Sequence, residues 1–483
     1  MNKPNSPQRN TNQQTRHINN ARQGYSANSP QQPVRQSPRP ASARNSRRLK
    51  RRNRKIILTV IVIVIIILIA AVFTAGHAIN GLGKDVTTDD NQLTNSSEDI
   101  TTDRNVGADN EIETASTERR LTFVAAGDNI MHASILAEAR ANAVAAVAVG
   151  QDYGNYYFDE MYAPVTDIFQ NADIAFVNQE SPIAGADFGI SGHPNFNSPE
   201  DVGHTLQNLG FDIVNIANNH MLDMDTKYRG TGYKRTVEFW KSQPFTVIGG
   251  YENTEDYDNI RVHEVDGIKI ALLSYTYGTN SNTLNPGSPD MVVPLINDDD
   301  IIRQMELAKD KGDLVFVSMH WGTENTFTPT DEQKRLARLL NTLGADVIIG
   351  HHSHTVQPVE WLDDENGNRT LVYYSLGNLI STMQKSYNMV GIVAQLDIVR
   401  DASGNVYIDE ASASAEPIVC HYLANPDILD EQELPTRTDI VVYPLDEYTE
   451  GLASAHGAQL YGTFTLDTLW RYVTDTIDAE FLD

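Results

Sequence analysis

Eight short apolar runs, separated by segments of helical pattern, restrict this chain more than any other feature. They are Leu121–Ala126, Ile174–Val177, Ile213–Ala217, Ile268–Ser274, Leu314–Met319, Val347–Ile349, Leu371–Tyr374 and Val390–Leu396. Runs this short read as buried strands, and their alternation with helix-like segments predicts α/β layering. Ser198-Pro199-Glu200-Asp201 reads as a helix start, with an N-cap, a first-position proline and acids in the first turn. Thr330 and Gln333 have capping-box spacing, Leu336, Leu339, Leu340 and Leu343 follow on one face, and Gly344 ends the helix.

Polar residues gather where the runs stop. Gly127 and Asp128 follow the first, with His132 four residues on; Asn178-Gln179-Glu180 follows the second. The third leads into Asn218-Asn219-His220 and Asp223, the fifth into His320-Trp321-Gly322-Thr323-Glu324, and the seventh into Ser375-Leu376-Gly377-Asn378. The sixth ends at Gly350, and His351, His352 and His354 come next. Sites in open α/β sheets form outside the carboxyl ends of strands. A single Asp or Asn there is ordinary turn chemistry, Glu324 alone is a solvated acid, and Trp321 alone is a core residue. Carboxylates, amides and several imidazoles at one set of strand ends predict a shared metal centre, since neutral imidazole and carboxylate are ligands for Mn, Fe or Zn.

The flanks are not globular in pattern. Residues 1–55 carry 14 Lys/Arg and no Asp or Glu, so the overall charge of −27 divides into a basic tail and a remainder of −41. That tail is too polar to bury a core and reads as disordered. Ile56–Ala75 is uncharged for twenty residues, long enough to cross a bilayer, and residues 56–76 are predicted to be an uncleaved anchor. The cluster from Arg47 to Lys55 places the N-terminus in the cytoplasm and everything beyond the anchor outside. Topology and anionic lipid headgroups account for the basic residues, so nucleic acid is not among the expected partners. Residues 77–118 read as an acidic flexible linker, 119–425 as the globular domain and 426–483 as an acidic extension. In the extension Leu466, Leu469, Trp470, Val473 and Ile477 form a packing stripe. Cys420 is the single cysteine, so the outer domain holds together by core burial alone.

The blocks GDNIMH, NQES, ANNHMLD, HWGTE, GHHSH and SLGN, in this order over residues 120–420, resemble the CapA family. That family is linked to poly-γ-glutamate capsule synthesis and is a branch of the calcineurin-like metallophosphoesterases. The resemblance implies a four-layer α/β/β/α sandwich with two mixed sheets and two divalent metal ions at the sheet ends. It implies Asp128, Glu180, Asn219, His320, His352 and His354 as ligands, with Glu180 as the bridge and His351 offering a competing register to His352. The superfamily's histidine two residues after the first aspartate is Ile130 here, and His132 is the substitute. His220 is implied as catalytic acid with Asp223 orienting it, and Asn178, Glu324 and Asn378 as substrate or supporting contacts. The function implied is a membrane-anchored surface protein serving synthesis, export or attachment of poly-γ-glutamate, with capsule synthase subunits as partners. A non-enzymatic assembly scaffold and a general surface phosphoesterase are the alternatives.

Overall fold

Between residues 268 and 373 the strands sort their buried side chains into two cores by alternation. In the computed structural model, which describes residues 118–225, 230–430 and 433–482, Leu314, Phe316, Val347, Ile349, Leu371 and Tyr373 belong to one buried cluster. Their neighbours Val315, Val317, Ile348 and Val372 belong to another. Successive side chains of a strand point to opposite faces, so this sheet is covered on both. The tail over 1–55, the anchor over 56–76 and the linker over 77–118, save its last residue, lie outside the described residues. Among the described residues no helix is long and apolar enough to cross a membrane.

Two mixed sheets form. The first contains β1 (Arg119–Asn129), β2 (Ile174–Gln179), β3 (Ile213–Asn215), β4 (Thr246–Ile248), β11 (Asn378–Ile380), β12 (Val390–Arg400), β13 (Val406–Leu429) and β14 (Pro435–Pro444). Its order is β14-β13-β12-β1-β2-β3-β4, with β11 paired to the end of β1. The second contains β5 (Arg261–Val265), β6 (Ile268–Thr276), β7 (Leu314–His320), β8 (Val347–His351), β9 (Val359–Asp363) and β10 (Arg369–Tyr373), in the order β5-β6-β7-β8-β10-β9. Phe123 of β1 meets Phe316 of β7 edge to face at 5.1 Å, so the inner faces of the sheets touch. Helices α4 (Asp298–Lys309) and α5 (Asp331–Thr342) cover the other face of the second sheet through Ile301, Met305, Leu336 and Leu340. Leu206 of α2 (Asp201–Asn208) and Val237 and Trp240 of α3 (Gly232–Lys241) join the core of the first sheet, as do Ile135 and Ala139 of α1 (Ala133–Ala148).

All eight apolar runs lie in strands or at their ends. The capping box of Thr330 and Gln333 is present and Gly344 sits just past the helix at φ +80°. Helix α2 is different from expectation. It starts at Asp201 after Glu200, without a side-chain cap, because the Ser198 hydroxyl is buried and donates to Ser181 Oγ at 2.7 Å. The expected division at 425/426 falls inside β13, and β14 continues the first sheet beyond it. In α6 (Leu466–Thr474), Leu469 and Val473 are buried and Leu466 and Trp470 pack against the core, so the stripe is packing.

Candidate metal centre

Parallel pairing brings the carboxyl ends of strands from both sheets together. Asp128 on β1 is level with Asn178 on β2 and with Asn378 on β11, while His320 on β7 is level with His351 on β8. The first sheet thus delivers mostly oxygen donors and the second delivers imidazoles. Beyond β8 the chain turns through two left-handed residues, His352 at φ +90° and His354 at φ +53°. Non-glycine residues seldom adopt this conformation, and here it lets both rings of the H-x-H pair point back to one place. Nitrogen or oxygen atoms of Glu180, His352 and His354 all lie within 4.8 Å of one another, and all three residues are buried.

The hydrogen bonds leave that place short of partners. His354 Nδ1 donates to Asn378 Oδ1 at 3.0 Å and to Asp128 Oδ2 at 3.1 Å, so that the neutral ring has its lone pair on Nε2, 3.7 Å from Glu180 Oε1. This is how metal-ligating imidazoles are usually oriented. Asn178 donates to Asp128 Oδ1 at 2.7 Å, and the His352 backbone N–H donates to Oδ2 at 3.3 Å. His320 Nε2 faces Asn219 Oδ1 at 2.9 Å. Both oxygens of Glu180, Nδ1 of His320 and of His352, and both ring nitrogens of His351 are buried without any hydrogen-bond partner. Orphaned buried polar atoms are costly, and apart from the one N–H of a neutral His351 ring these are atoms able to offer lone pairs. A cation satisfies such a set, so the residues fit a divalent metal.

Electrostatics agree with the geometry. Burial, and then the charge of Asp128, push Glu180 well above the usual carboxylate range. Burial works against a charged His354, but Glu180 and Asp128 together hold it up at about 10. Burial lowers His351 to about 4 and His352 to about 3, so both are neutral and able to ligate. His351 stands a little apart, its ring parallel to Phe176 at 5.9 Å and its Nδ1 3.6 Å from Asp128 Oδ1. It is His352, with His354, that the structure groups with Glu180.

A cavity of about 420 Å³ opens beside this group, lined in part by His132, Glu180, Asn219, His220, Glu324 and His354. His220 Nδ1 is 2.7 Å from Asp223 Oδ2, and Asp223 also accepts the Phe196 backbone N–H at 2.9 Å. His132 faces the cavity with its Nδ1 accepting from the Thr382 backbone N–H at 3.2 Å, apart from the Glu180 group. Glu324 is at the exposed rim. Asn178 and Asn378 are fully buried and do not line the cavity; they hold Asp128 and His354 in place.

Sequence reasoning overlooked the loop after β6. Asn280 Nδ2 lies 3.3 Å from His220 Nδ1 and its Oδ1 accepts from Asn219 at 3.2 Å. Asn282 reaches Asp223 at 3.4 Å, and the Tyr277 ring covers His352 at 4.4 Å. The available signal was the position of Tyr277–Asn282 directly after the fourth apolar run, in line with the other ligand-bearing strand ends.

Known proteins resemble this chain in sequence. Residues 122–383 match the family model of the bacterial capsule synthesis protein PGA_cap. The PGA biosynthesis protein CapA of Bacillus subtilis (strain 168) is 28% identical over 291 residues, covering 56% of this chain and 71% of the relative. The capsule biosynthesis protein CapA of Bacillus anthracis is 32% identical over 241 residues, covering 47% of this chain and only 54% of the relative. Among solved structures, a phosphatase from Mycoplasma pneumoniae aligns at 13% identity over 63% of this chain and 95% of its own, with a TM-score of 0.36, too low to carry an argument. More than half of the chain lies within the family model, and the chain belongs to the bacterial capsule synthesis protein family.

Proposed function

We propose, with membership of the capsule synthesis family as premise, that this chain is a metal-dependent hydrolase serving poly-γ-glutamate capsule synthesis, export or attachment. In this reading the basic tail is cytoplasmic, residues 56–76 anchor the chain in the membrane and the domain described above works outside the cell. The complete four-layer metallophosphoesterase arrangement, capsule synthase subunits as partners and two metal ions belong to the same reading. The observation that carries it is the set of orphaned donors around Glu180, because a pure scaffold gains nothing from burying unpartnered carboxylate and imidazole atoms.

Asp128, Glu180, Asn219, His320, His352 and His354 would hold the metal, with Glu180 shared between two ions. When bound, the ions supply Lewis acidity, lowering the pKa of water and neutralising charge that develops on the scissile group. The chain supplies the rest. Asp223 fixes His220 through Nδ1, which leaves Nε2 as the nitrogen that exchanges a proton with the leaving atom. Asn280 and Asn282 brace that pair from the opposite sheet. The buried amide of Asn178 keeps Asp128 aligned, and burial keeps water from screening the site.

Metal titration of the chelated, purified chain tests this reading and is expected to approach two ions per chain. His220→Asn should keep that stoichiometry and lower turnover of a γ-glutamyl polymer by about 10²–10⁴-fold. A chain that takes up no metal, with a melting temperature indifferent to chelator, would leave the scaffold reading in its place.

A further inference from the structure

An anionic polymer poses a problem for this cavity. Glu180, Asp223 and Glu324 line it, and among its described lining residues there is no Lys or Arg. A cation lies just behind the wall. Arg437, from β14, is 94% buried, its Nε and Nη2 have no hydrogen-bond partner, and no carboxylate among the described residues pairs with it. A buried guanidinium ordinarily carries a partner, because leaving its charge unpaired away from water is strongly unfavourable.

Its surroundings connect it to the cavity. The guanidinium lies over the Tyr422 ring at 5.5 Å, and the Tyr422 hydroxyl donates to the carbonyl of Met383, a lining residue, at 2.9 Å. On the other side the charge of Arg437 is felt at His132, also a lining residue. His132 Nδ1 is taken by the Thr382 N–H, so the neutral ring carries its proton on Nε2. The Thr382 hydroxyl is buried and has no partner of its own. Donors without acceptors therefore collect beside the strip Thr382–Met383: two guanidinium nitrogens and a hydroxyl. The site next to them has acceptors without donors.

We propose that Arg437 is a specificity-determining residue of the cavity, its unpaired charge behind the wall favouring a substrate that carries carboxylates. This rests on the reading of the cavity as a site for an anionic γ-glutamyl polymer. It assigns the strand pair β13–β14, which lies largely beyond the family match at residue 383, a part in substrate choice. Guanidinium suits the task because it keeps its charge when buried, where a low dielectric lets that charge act across the wall.

The test uses the full, metal-loaded chain and two probes, a γ-linked glutamate oligomer and the same oligomer with its carboxylates converted to amides. Wild type should bind the acid form about tenfold more tightly or better, Arg437→Gln should bind the two equally, and Arg437→Lys should fall between. A full preference for the acid form in Arg437→Gln overturns the proposal. Should wild type bind neither oligomer, the polymer reading fails and inorganic phosphate decides the subsite. A rise in melting temperature with phosphate that Arg437→Gln loses supports an anion site, and equal rises overturn it. Without ligand, Arg437→Met should melt no lower than wild type, since it removes an unpaired buried charge. A fall of many degrees would make Arg437 a structural residue and sink the proposal.

Discussion

Two groups of histidines are buried in this molecule, and they differ in one respect. At the strand ends, His320, His351 and His352 hold ring nitrogens that no protein atom satisfies. In the C-terminal strands, His421 Nδ1 is 2.6 Å from the Tyr448 hydroxyl, and His456 bonds the Cys420 carbonyl through Nε2 and the Ala458 N–H through Nδ1. The two pairs of rings are about equally close, 4.9 Å between His320 and His352 and 5.2 Å between His421 and His456. Proximity alone does not mark a ligand site. The informative quantity is lone pairs left without a proton donor, because the protein satisfies a structural histidine itself.

The strongest way to break that distinction is to remove one member of each group. Glu180→Ala and His354→Ala should each lose most of the bound metal and lower turnover by about 10³-fold or more. His456→Ala should leave metal content at the wild-type value. Metal lost equally in all three variants would erase the difference between the groups.

Stability should show the reverse ranking. His456→Ala opens space under Phe464, stacked on it at 3.8 Å, and orphans the Ala458 N–H, so it should cost about 2–4 kcal/mol in denaturant unfolding. In metal-free protein His352→Ala should cost less, because the ring it deletes has an unsatisfied nitrogen.

The smallest effect is in proton uptake, where the groups have opposite signs. His354 is raised in the fold, so its contribution is complete below the unfolded value of about 6.5 and fades as pH rises through about 10; Glu180 is raised too, so its contribution is complete below the unfolded carboxylate value of about 4.5 and fades above it. His456 is pushed down to about 3 by burial, so its contribution is present above about 6.5 and fades as pH falls. Metal displaces the proton held at His354, so titration in weak buffer near pH 8 should release about one proton per chain. Release of none, followed with a pH indicator, would mean that the site holds no extra protons.

The same contrast explains what was legible in the sequence. Strand ends that carry ligands are legible because burial makes the preceding run apolar and chemistry makes the next residues polar, as at Val347–His354. The short strands β4 and β11 have three residues each, below what alternation can reveal, and β5 is half-exposed along its length. β14 was hidden by its acidic neighbours, and with it Arg437, whose meaning depends on a tyrosine and a histidine far away in sequence. For Asn178 and Asn378 the sequence leaves substrate contact and support side by side, because position at a strand end does not reveal which amides face inward. Asn280 and Asn282 carry no pattern of their own, and only the folded loop brings them to His220 and Asp223.

The pairing of Asp128 with the His352 backbone spans 224 residues. A chain that is still being made has Asp128 and Glu180 long before it has any of the second sheet's imidazoles. Contacts of such long range are closed late, after much of the entropy of the intervening chain has been spent. Tight metal capture is therefore a late event, and a truncated or half-folded chain has no complete ligand set to offer. In the proposed reading, metal capture is a checkpoint on completion of the fold.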